Sequence, residues 1–296
     1  MLTGNTVSST TGYTYDTADN LKTIDGPQPG AADTTTFFYD SYNRKRGVIG
    51  PDPDGAGALQ RQAERYTFDA ESRITRTERG YASDATDAAL NAMTVTDFTD
   101  ATYDTKGNLV RAEQKSGATT YSLVQYGYDV DNRLTCAAVR MNPAVYGSLP
   151  ADACVTSTLD PNNGPDRITK TVYDAAGRVL QVQTAVGQTY LADEATYTYT
   201  TNSQVASVRD GEGNRTTYEY DGLDRLFKTR YPVLTAGSNT SSTTDYEQYG
   251  YDANGNLTSL RKRNGSVFTF QFDALDRMTV KVVPELAGLS VARHSR

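Results

Sequence analysis

The stretch YDTKGNL, Tyr103–Leu109, is one of ten copies of a seven-residue unit that recurs along this sequence. Position one is aromatic, position two is Asp in nine copies, position six is usually Arg or Asn, and position seven is usually apolar. A unit that recurs every 21 to 45 residues predicts an array of similar supersecondary units. The other copies are YDTADNL at Tyr15–Leu21, YDSYNRK at Tyr39–Lys45, FDAESRI at Phe68–Ile74, YDVDNRL at Tyr128–Leu134, YDAAGRV at Tyr173–Val179, YTTNSQV at Tyr199–Val205, YDGLDRL at Tyr220–Leu226, YDANGNL at Tyr251–Leu257 and FDALDRM at Phe272–Met278.

The aromatic residues follow the spacing of a β-strand. In eight copies a second aromatic residue stands two positions before position one, and the exceptions are Ala101 and Thr171. Side chains at i and i+2 share one face of a pleated sheet. The pattern therefore predicts strands whose aromatic rings line one face.

The residues after each strand predict a turn and a returning strand. A short carboxylate at position two accepts hydrogen bonds from backbone N–H groups further along the turn. Position five is Gly, Asn, Asp or Ser in all ten copies, and eight of these are types that tolerate the left-handed backbone needed where a bulge closes a hairpin. We expect positive φ at Gly107, Gly177 and Gly255. Each copy is thus predicted to be a β-hairpin.

The repeated residues are interpreted as structural rather than catalytic. An Asp that occurs nine times in the same turn position is explained by turn chemistry. The residues to which this structural role is assigned are Tyr15, Asp16, Tyr39, Asp40, Phe68, Asp69, Tyr103, Asp104, Gly107, Tyr128, Asp129, Tyr173, Asp174, Gly177, Tyr220, Asp221, Tyr251, Asp252, Gly255, Phe272 and Asp273.

We predict a repeat array over residues 13–278, an N-terminal extension over 1–12 and a frayed tail over 279–296 that contains one strand at most. Two insertions interrupt the array, near residues 80–95 and 136–166. The first contains SDATDAALNAM, Ser83–Met93, and is predicted to form one or two helical turns. The second contains both cysteines. A disulfide between Cys136 and Cys154 is the preferred interpretation, and two unconnected buried thiols are the alternative.

Composition argues against several classes of partner. The net charge is −7 with acids and bases interleaved, which does not favour nucleic acid or an anionic membrane surface. No apolar stretch approaches the ~18 residues of a membrane span, and the N-terminus has no signal-peptide pattern. With 21 Tyr, no Trp and 37% hydrophobic residues, the chain fits a sheet with one aromatic face better than a thick globular core.

The sequence predicts no catalytic, cofactor or metal site. The single histidine, His294, stands near the C-terminus, so no histidine-based triad is expected. Paired carboxylates such as Asp129 and Asp131 are explained by the repeat and not by a glycosidase dyad. The run from Asp252 to Asn256 resembles the start of a calcium loop, but Leu257 and Arg263 stand where that loop requires Gly and Glu.

The ten aromatic–Asp units make the chain resemble the Rhs/YD-repeat family over about Tyr13 to Met278. That family includes bacterial Rhs proteins, the cocoon subunits of insecticidal toxin complexes, and the teneurins. The resemblance implies an all-β fold: an antiparallel meander of hairpins in a curved, spiralling open sheet, as a segment of a hollow shell. It also implies a secreted or cell-surface bacterial protein whose shell holds a C-terminal toxin.

The sequence departs from the family pattern after Met278, where the segment with the autoproteolytic aspartate site is expected and not found. The DPDG string at Asp52–Gly55 superficially resembles part of that segment. It lies between two repeats, so no autoproteolytic role is assigned to it. About twenty strands at ~4.8 Å give a strip of roughly 100 Å, or a ring about 30 Å across. Such a ring is too small for a folded domain with a radius of gyration of ~13 Å. We therefore expect a fragment of a larger shell.

Two functions remain in competition. The first is a structural shell segment whose partners are the rest of the shell and its toxin. The second is a cell-surface module that binds carbohydrate or protein through aromatic ladders. In either case the open edges of such a sheet are expected to promote self-association.

Overall fold

The computed structural model describes residues 9–28, 32–55, 57–189 and 191–284. Most of the predicted N-terminal extension, most of the predicted tail and His294 lie outside these residues. The chain divides into two compact units, one up to Ile168 and one from Thr169. None of the described helices is long and apolar enough to cross a membrane.

The first unit is an antiparallel meander in which each strand pairs with the next. Its strands are β1 Gly12–Tyr15, β2 Leu21–Asp25, β3 Thr35–Tyr39, β4 Lys45–Ile49, β5 Arg61–Phe68, β6 Ile74–Ala82, β7 Thr94–Tyr103, β8 Leu109–Ser116, β9 Thr119–Tyr128 and β10 Leu134–Arg140. One helix, α1 Asp87–Asn91, and one 3₁₀ turn, Pro143–Val145, interrupt it.

The second unit repeats this architecture with ten further strands, and consecutive strands again pair antiparallel. They are β11 Arg167–Tyr173, which begins at the end of the first unit, β12 Val179–Thr184, β13 Ala192–Tyr199, β14 Val205–Asp210, β15 Arg215–Tyr220, β16 Leu226–Pro232, β17 Ser241–Tyr251, β18 Leu257–Arg261, β19 Val267–Phe272 and β20 Met278–Val282. The predicted all-β meander of hairpins is confirmed, and each of the ten copies forms one hairpin.

All ten hairpins close with the same turn. The N–H of position five donates to the carbonyl of position two, and the N–H of position two donates to the carbonyl of position six, as at Asp252, Gly255 and Asn256. Position five has positive φ in every copy: 89° at Gly107, 80° at Gly177 and 92° at Gly255, as predicted. Ser72 and Ser203, the two residues of a less favourable type, also have φ of 66°. The geometry of the turn therefore prevails over residue preference.

Side-chain burial is concentrated where the two insertions cover the first unit. The predicted helical turns are present as α1, which Thr86 caps by accepting a hydrogen bond from the Ala89 N–H. The buried Leu90 packs with a cluster of residues on β4, β5 and β6. Gly47 is required beneath it, because a Cβ there would lie 2.5 Å from a Leu90 methyl group. The cluster comprises Ile49, Ala63, Ala82, Ala89, Leu90 and Met93.

Backbone strain at position five can be tested at Gly255. A Cβ at this residue would meet no atom within 4 Å, so the cost of a substitution there comes from the positive φ and not from a steric clash with a neighbour. We expect Gly255→Val to lower the free energy of unfolding by roughly 1–2 kcal/mol more than Ala253→Val in the same turn. Chemical denaturation of both variants measures the difference. Equal losses would show that the left-handed residue is not essential to the turn.

Candidate functional site

The candidate site is the edge of each unit along which the repeated turns lie, because the sequence-predicted residues come together there. Within a turn, the position-two carboxylate organises the backbone. At Asp174, Oδ1 accepts the N–H groups of Ala176 and Arg178, both at 2.9 Å, and Oδ2 accepts Nε of Arg178 at 2.7 Å. Where position six is Asn, its amide takes the place of the guanidinium, as between Asn256 and Asp252 at 3.0 Å.

The position-six side chain also reaches the next turn. In the second unit, Arg178 donates to Ser203 Oγ at 3.1 Å, and Arg225 donates to the Asp252 carbonyl at 2.9 Å. In the first unit, Arg44 donates to Ser72 Oγ at 2.9 Å. Successive turns are therefore linked along one edge of each unit.

The same arginines stack on the position-one ring of the following copy. The distance from guanidinium carbon to ring centroid is 4.4 Å for Arg44 on Phe68, 4.7 Å for Arg73 on Tyr103, 4.4 Å for Arg178 on Tyr199 and 4.6 Å for Arg225 on Tyr251. These distances are within the range of cation–π attraction. Each arginine thus holds its own turn through Asp and contacts the next hairpin through a ring.

Hydrogen bonds from position-one tyrosines also join neighbouring copies, both where an arginine stacks on the ring and where it does not. Each hydroxyl donates to the position-seven carbonyl of the preceding copy: Tyr39 to Leu21, Tyr103 to Ile74, Tyr128 to Leu109, Tyr199 to Val179, Tyr220 to Val205 and Tyr251 to Leu226, at 2.7–3.0 Å. We call the set of contacts from positions six and seven of one copy to position one of the next the repeat interface. Its clearest example joins Arg225 and Leu226 to Tyr251.

Rings two residues before position one also lie on a common face. The ammonium of Lys45 is 5.8 Å from the centroid of Phe37 and 5.7 Å from that of Tyr66, which belong to neighbouring hairpins. Lys45 is the one residue at position seven that is not apolar. Its long side chain bridges the two rings, so this exception retains a contact between hairpins.

The second insertion is fastened to the first unit by a disulfide and a buried ion pair. Cys136 on β10 is bonded to Cys154, the preferred of the two alternatives from the sequence. Arg140, with no exposed side-chain surface, donates to Asp166 at 2.7 Å and to Gln125 at 2.6 Å. The pKa of Asp166 is lowered although burial acts to raise it, because N–H groups of Ser157 and Met141 and the Arg140 guanidinium donate to the carboxylate.

The residues described do not bring together any group of three or more His, Cys, Asp or Glu side chains suited to a metal ion. Each position-two carboxylate already accepts hydrogen bonds from its own turn. Arg140 and Asp166 are the important pair that the sequence analysis missed. The spacing of Cys136, Ala138 and Arg140 on alternate residues of β10 was the available signal that Arg140 faces inward.

Comparison with known proteins supports the repeat assignment. Residues 251–285 match the family model described as RHS Repeat. No curated protein matches the sequence.

Several solved structures are similar. A TcdB2-TccC3-TEV crystal structure matches at 18% identity and a TM-score of 0.46, over 94% of this chain and 14% of the other. A TcdB2-TccC3-Cdc42 crystal structure matches at 14% identity and a TM-score of 0.43, over 95% of this chain and 16% of the other. A Tc holotoxin pore structure from Photorhabdus luminescens matches at 13% identity and a TM-score of 0.32, over 92% of this chain and 15% of the other. This chain spans about one sixth of the length of these solved chains.

The hydroxyl contact of the repeat interface can be tested by Tyr220→Phe. The substitution removes the hydrogen bond to the Val205 carbonyl and leaves the ring in place. We expect a loss of roughly 1 kcal/mol in the free energy of unfolding. Tyr121→Phe, at an exposed residue of β9, is the control and is expected to change little. If Tyr220→Phe left the free energy of unfolding unchanged, the hydroxyl would not contribute to stability.

Acid should weaken the turns. The pKa of Asp174 is lowered chiefly because the Arg178 N–H donates to it; burial opposes the shift, and the Arg178 side chain reinforces it. A lowered folded-state pKa means that the stabilisation is present above the unfolded value of about 3.9 and is lost as pH falls through the folded value. The same direction holds at Asp16, Asp40, Asp69, Asp104, Asp129, Asp221, Asp252 and Asp273.

Asp174→Asn tests this linkage, because the amide retains an acceptor but cannot titrate. The variant should be less stable than the wild type at neutral pH, and the difference should shrink as pH falls below about 4. Asp84→Asn, an exposed carboxylate outside the repeated turns, is the control. If the difference in the free energy of unfolding between wild type and Asp174→Asn stayed constant down to low pH, the result would contradict the assignment.

Proposed function

The chain carries the RHS repeat of the Rhs/YD-repeat family, as its sequence predicts, and on that premise we propose that it is a non-enzymatic segment of a β-sheet shell. The shell would enclose or display a C-terminal toxin of the same bacterial protein, which would be secreted or held at the cell surface. Its partners would be the remaining repeats and the toxin.

The observation that carries this proposal is the repeat interface. Its contacts use residues of the repeat: the position-one aromatic ring, the position-seven carbonyl and, in the copies that have it, the position-six Arg that the turn carboxylate holds. A repeat whose characteristic residues contact their own turn and the neighbouring repeat is suited to building an extended sheet, in which stability adds up from contacts between neighbours. This use of the repeated residues favours a structural role over a catalytic one.

The alternative function, a module that binds glycans or proteins through aromatic ladders, would have to use other rings. Position-one rings at Phe68, Tyr103, Tyr199 and Tyr251 are already stacked against arginines. Exposed rings such as Tyr42, Tyr81 and Tyr121 stand at unrelated positions of the repeat. Binding on a glycan array that is abolished by Tyr121→Ala or Tyr81→Ala would favour this alternative.

The shell function is tested by limited proteolysis of the full natural gene product that contains this chain. We expect the segment downstream of the array to resist protease in the intact protein. Arg225→Ala, which breaks a repeat interface, should make that segment more sensitive, and Arg167→Ala at an exposed arginine outside the repeated turns is the control. A downstream segment that is equally sensitive with the array present and with it deleted would contradict an enclosing role.

A further inference from the structure

The link between β14 and β15 forms a turn with the geometry of the repeated turns, at the opposite edge of the second unit. Its sequence is RDGEGNR, Arg209–Arg215. Asp210 Oδ1 accepts the N–H of Asn214 at 2.8 Å, and Gly213 has φ of 84°. Arg209 therefore stands at position one and Arg215 at position seven, where the ten copies have an aromatic residue and, with one exception, an apolar residue. We call Arg209 and Arg215 the arginine pair.

The two arginine side chains lie beside each other. Arg209 on β14 is directly opposite Arg215 on β15, so both side chains leave the same face of the sheet, with their Cβ atoms about 5 Å apart. Val208, the neighbour of Arg209 on β14, is opposite Tyr197 on β13. Because successive residues of a strand point to opposite faces, the arginine pair lies on the face away from the Tyr197 ring.

Neither member of the arginine pair has a partner for its charge. Both residues are half-buried, and Nε of each is buried without a hydrogen-bond partner. Within the described part of the chain, neither guanidinium forms an ion pair or stacks on a ring. By contrast, Arg230 on the neighbouring β16 is paired with Glu219. The arginine pair therefore brings two unneutralised positive charges together.

The carboxylates beside the arginine pair already accept hydrogen bonds from other residues. In the turn, Asp210 and Glu212 accept the side-chain amide of the position-six Asn at 3.1 and 3.4 Å. On β13 and β15, Asp193, Glu194 and Glu219 accept side-chain donors of the neighbouring strands. None of these carboxylates pairs with either arginine.

Hydroxyl groups, which can donate to an anion, adjoin the arginine pair in the sheet. Thr196 on β13 is directly opposite Arg209. Thr217 follows Arg215 by two residues on β15 and shares its face. The surroundings of the two guanidiniums therefore supply further donors.

We propose that the arginine pair binds a phosphate group between its two guanidiniums, with the hydroxyls of Thr196 and Thr217 as further donors. Like charges directly opposite each other destabilise a sheet, and a buried donor without an acceptor carries a desolvation cost. A bound anion removes both penalties. The proposal does not depend on an enclosing role, so the two can fail separately.

The number of donors favours phosphate over a carboxylate. One guanidinium is sufficient to engage both oxygens of a carboxylate through two parallel hydrogen bonds. A phosphate group carries a charge of about −1.5 to −2 near neutral pH and at least three acceptor oxygens. It can therefore accept hydrogen bonds from both members of the arginine pair at once.

NMR titration of the ¹⁵N-labelled full chain with inorganic phosphate, at an ionic strength held constant with sodium chloride, tests the proposal. We expect saturable shifts of the Gly213 and Arg215 amide resonances in the wild type. Arg209→Gln and Arg215→Gln should each weaken binding by about tenfold or more, because each removes one set of charge-assisted hydrogen bonds. Arg167→Gln, at an exposed arginine of β11, is the control and should bind like the wild type.

A second titration with glycerol 1-phosphate distinguishes the source of the group. Comparable affinities for the two ligands would support a site for a phosphate ester, and binding of inorganic phosphate alone would support a site for the free ion. No saturable shift with either ligand, or wild-type affinity in either glutamine variant, would overturn the proposal. Circular dichroism checks folding. If a glutamine variant is not folded, Arg209→Lys and Arg215→Lys replace the pair of variants, because lysine keeps the charge but lacks the guanidinium fork, and the same loss is expected.

Discussion

The structure depends on the hydrogen bonds between the position-two carboxylate and position six of the same turn. Asp221 accepts the Arg225 backbone N–H at 3.0 Å and its side-chain Nε at 2.8 Å. The first bond reinforces the turn that the backbone bonds close, and the second fixes the direction of the guanidinium. Since the arginine is then held in place, it can stack on Tyr251 without a further loss of side-chain freedom. One carboxylate therefore couples the formation of a hairpin to its contact with the next.

This coupling explains how a sheet with little deeply buried apolar surface is held together. Among the described residues of the second unit, the buried side chains are the polar Ser207 and Thr229. In the first unit, the buried apolar residues lie mainly beneath α1 and the disulfide-linked loop. Elsewhere, backbone pairing and the repeat interface take the place of a core. Such contacts are individually weak but recur at successive copies, as expected of a repeat protein.

The sequence predicted what lies within a hairpin better than what lies between hairpins. The strand spacing around Tyr251 and the residue type at Gly255 are local signals, and both led to the observed geometry. The bond from the Tyr251 hydroxyl to Leu226 depends on the alignment of separate hairpins, and the variable links between copies carry no signal for it. Likewise, Arg140 and Asp166 are 26 residues apart and meet only because the insertion folds back on β10.

The central claim is that neighbouring repeats are coupled through position six and position one. A double-mutant cycle on Arg225→Ala and Tyr251→Leu measures this coupling directly. Arg225→Ala removes the bond to Asp221 whether or not Tyr251 is replaced, so that loss cancels in the cycle. We predict that the two losses in the free energy of unfolding are non-additive by about 1 kcal/mol, with the double variant less destabilised than the sum of the single variants. Additive losses would mean that the stacked pair does not couple the repeats and would contradict the account.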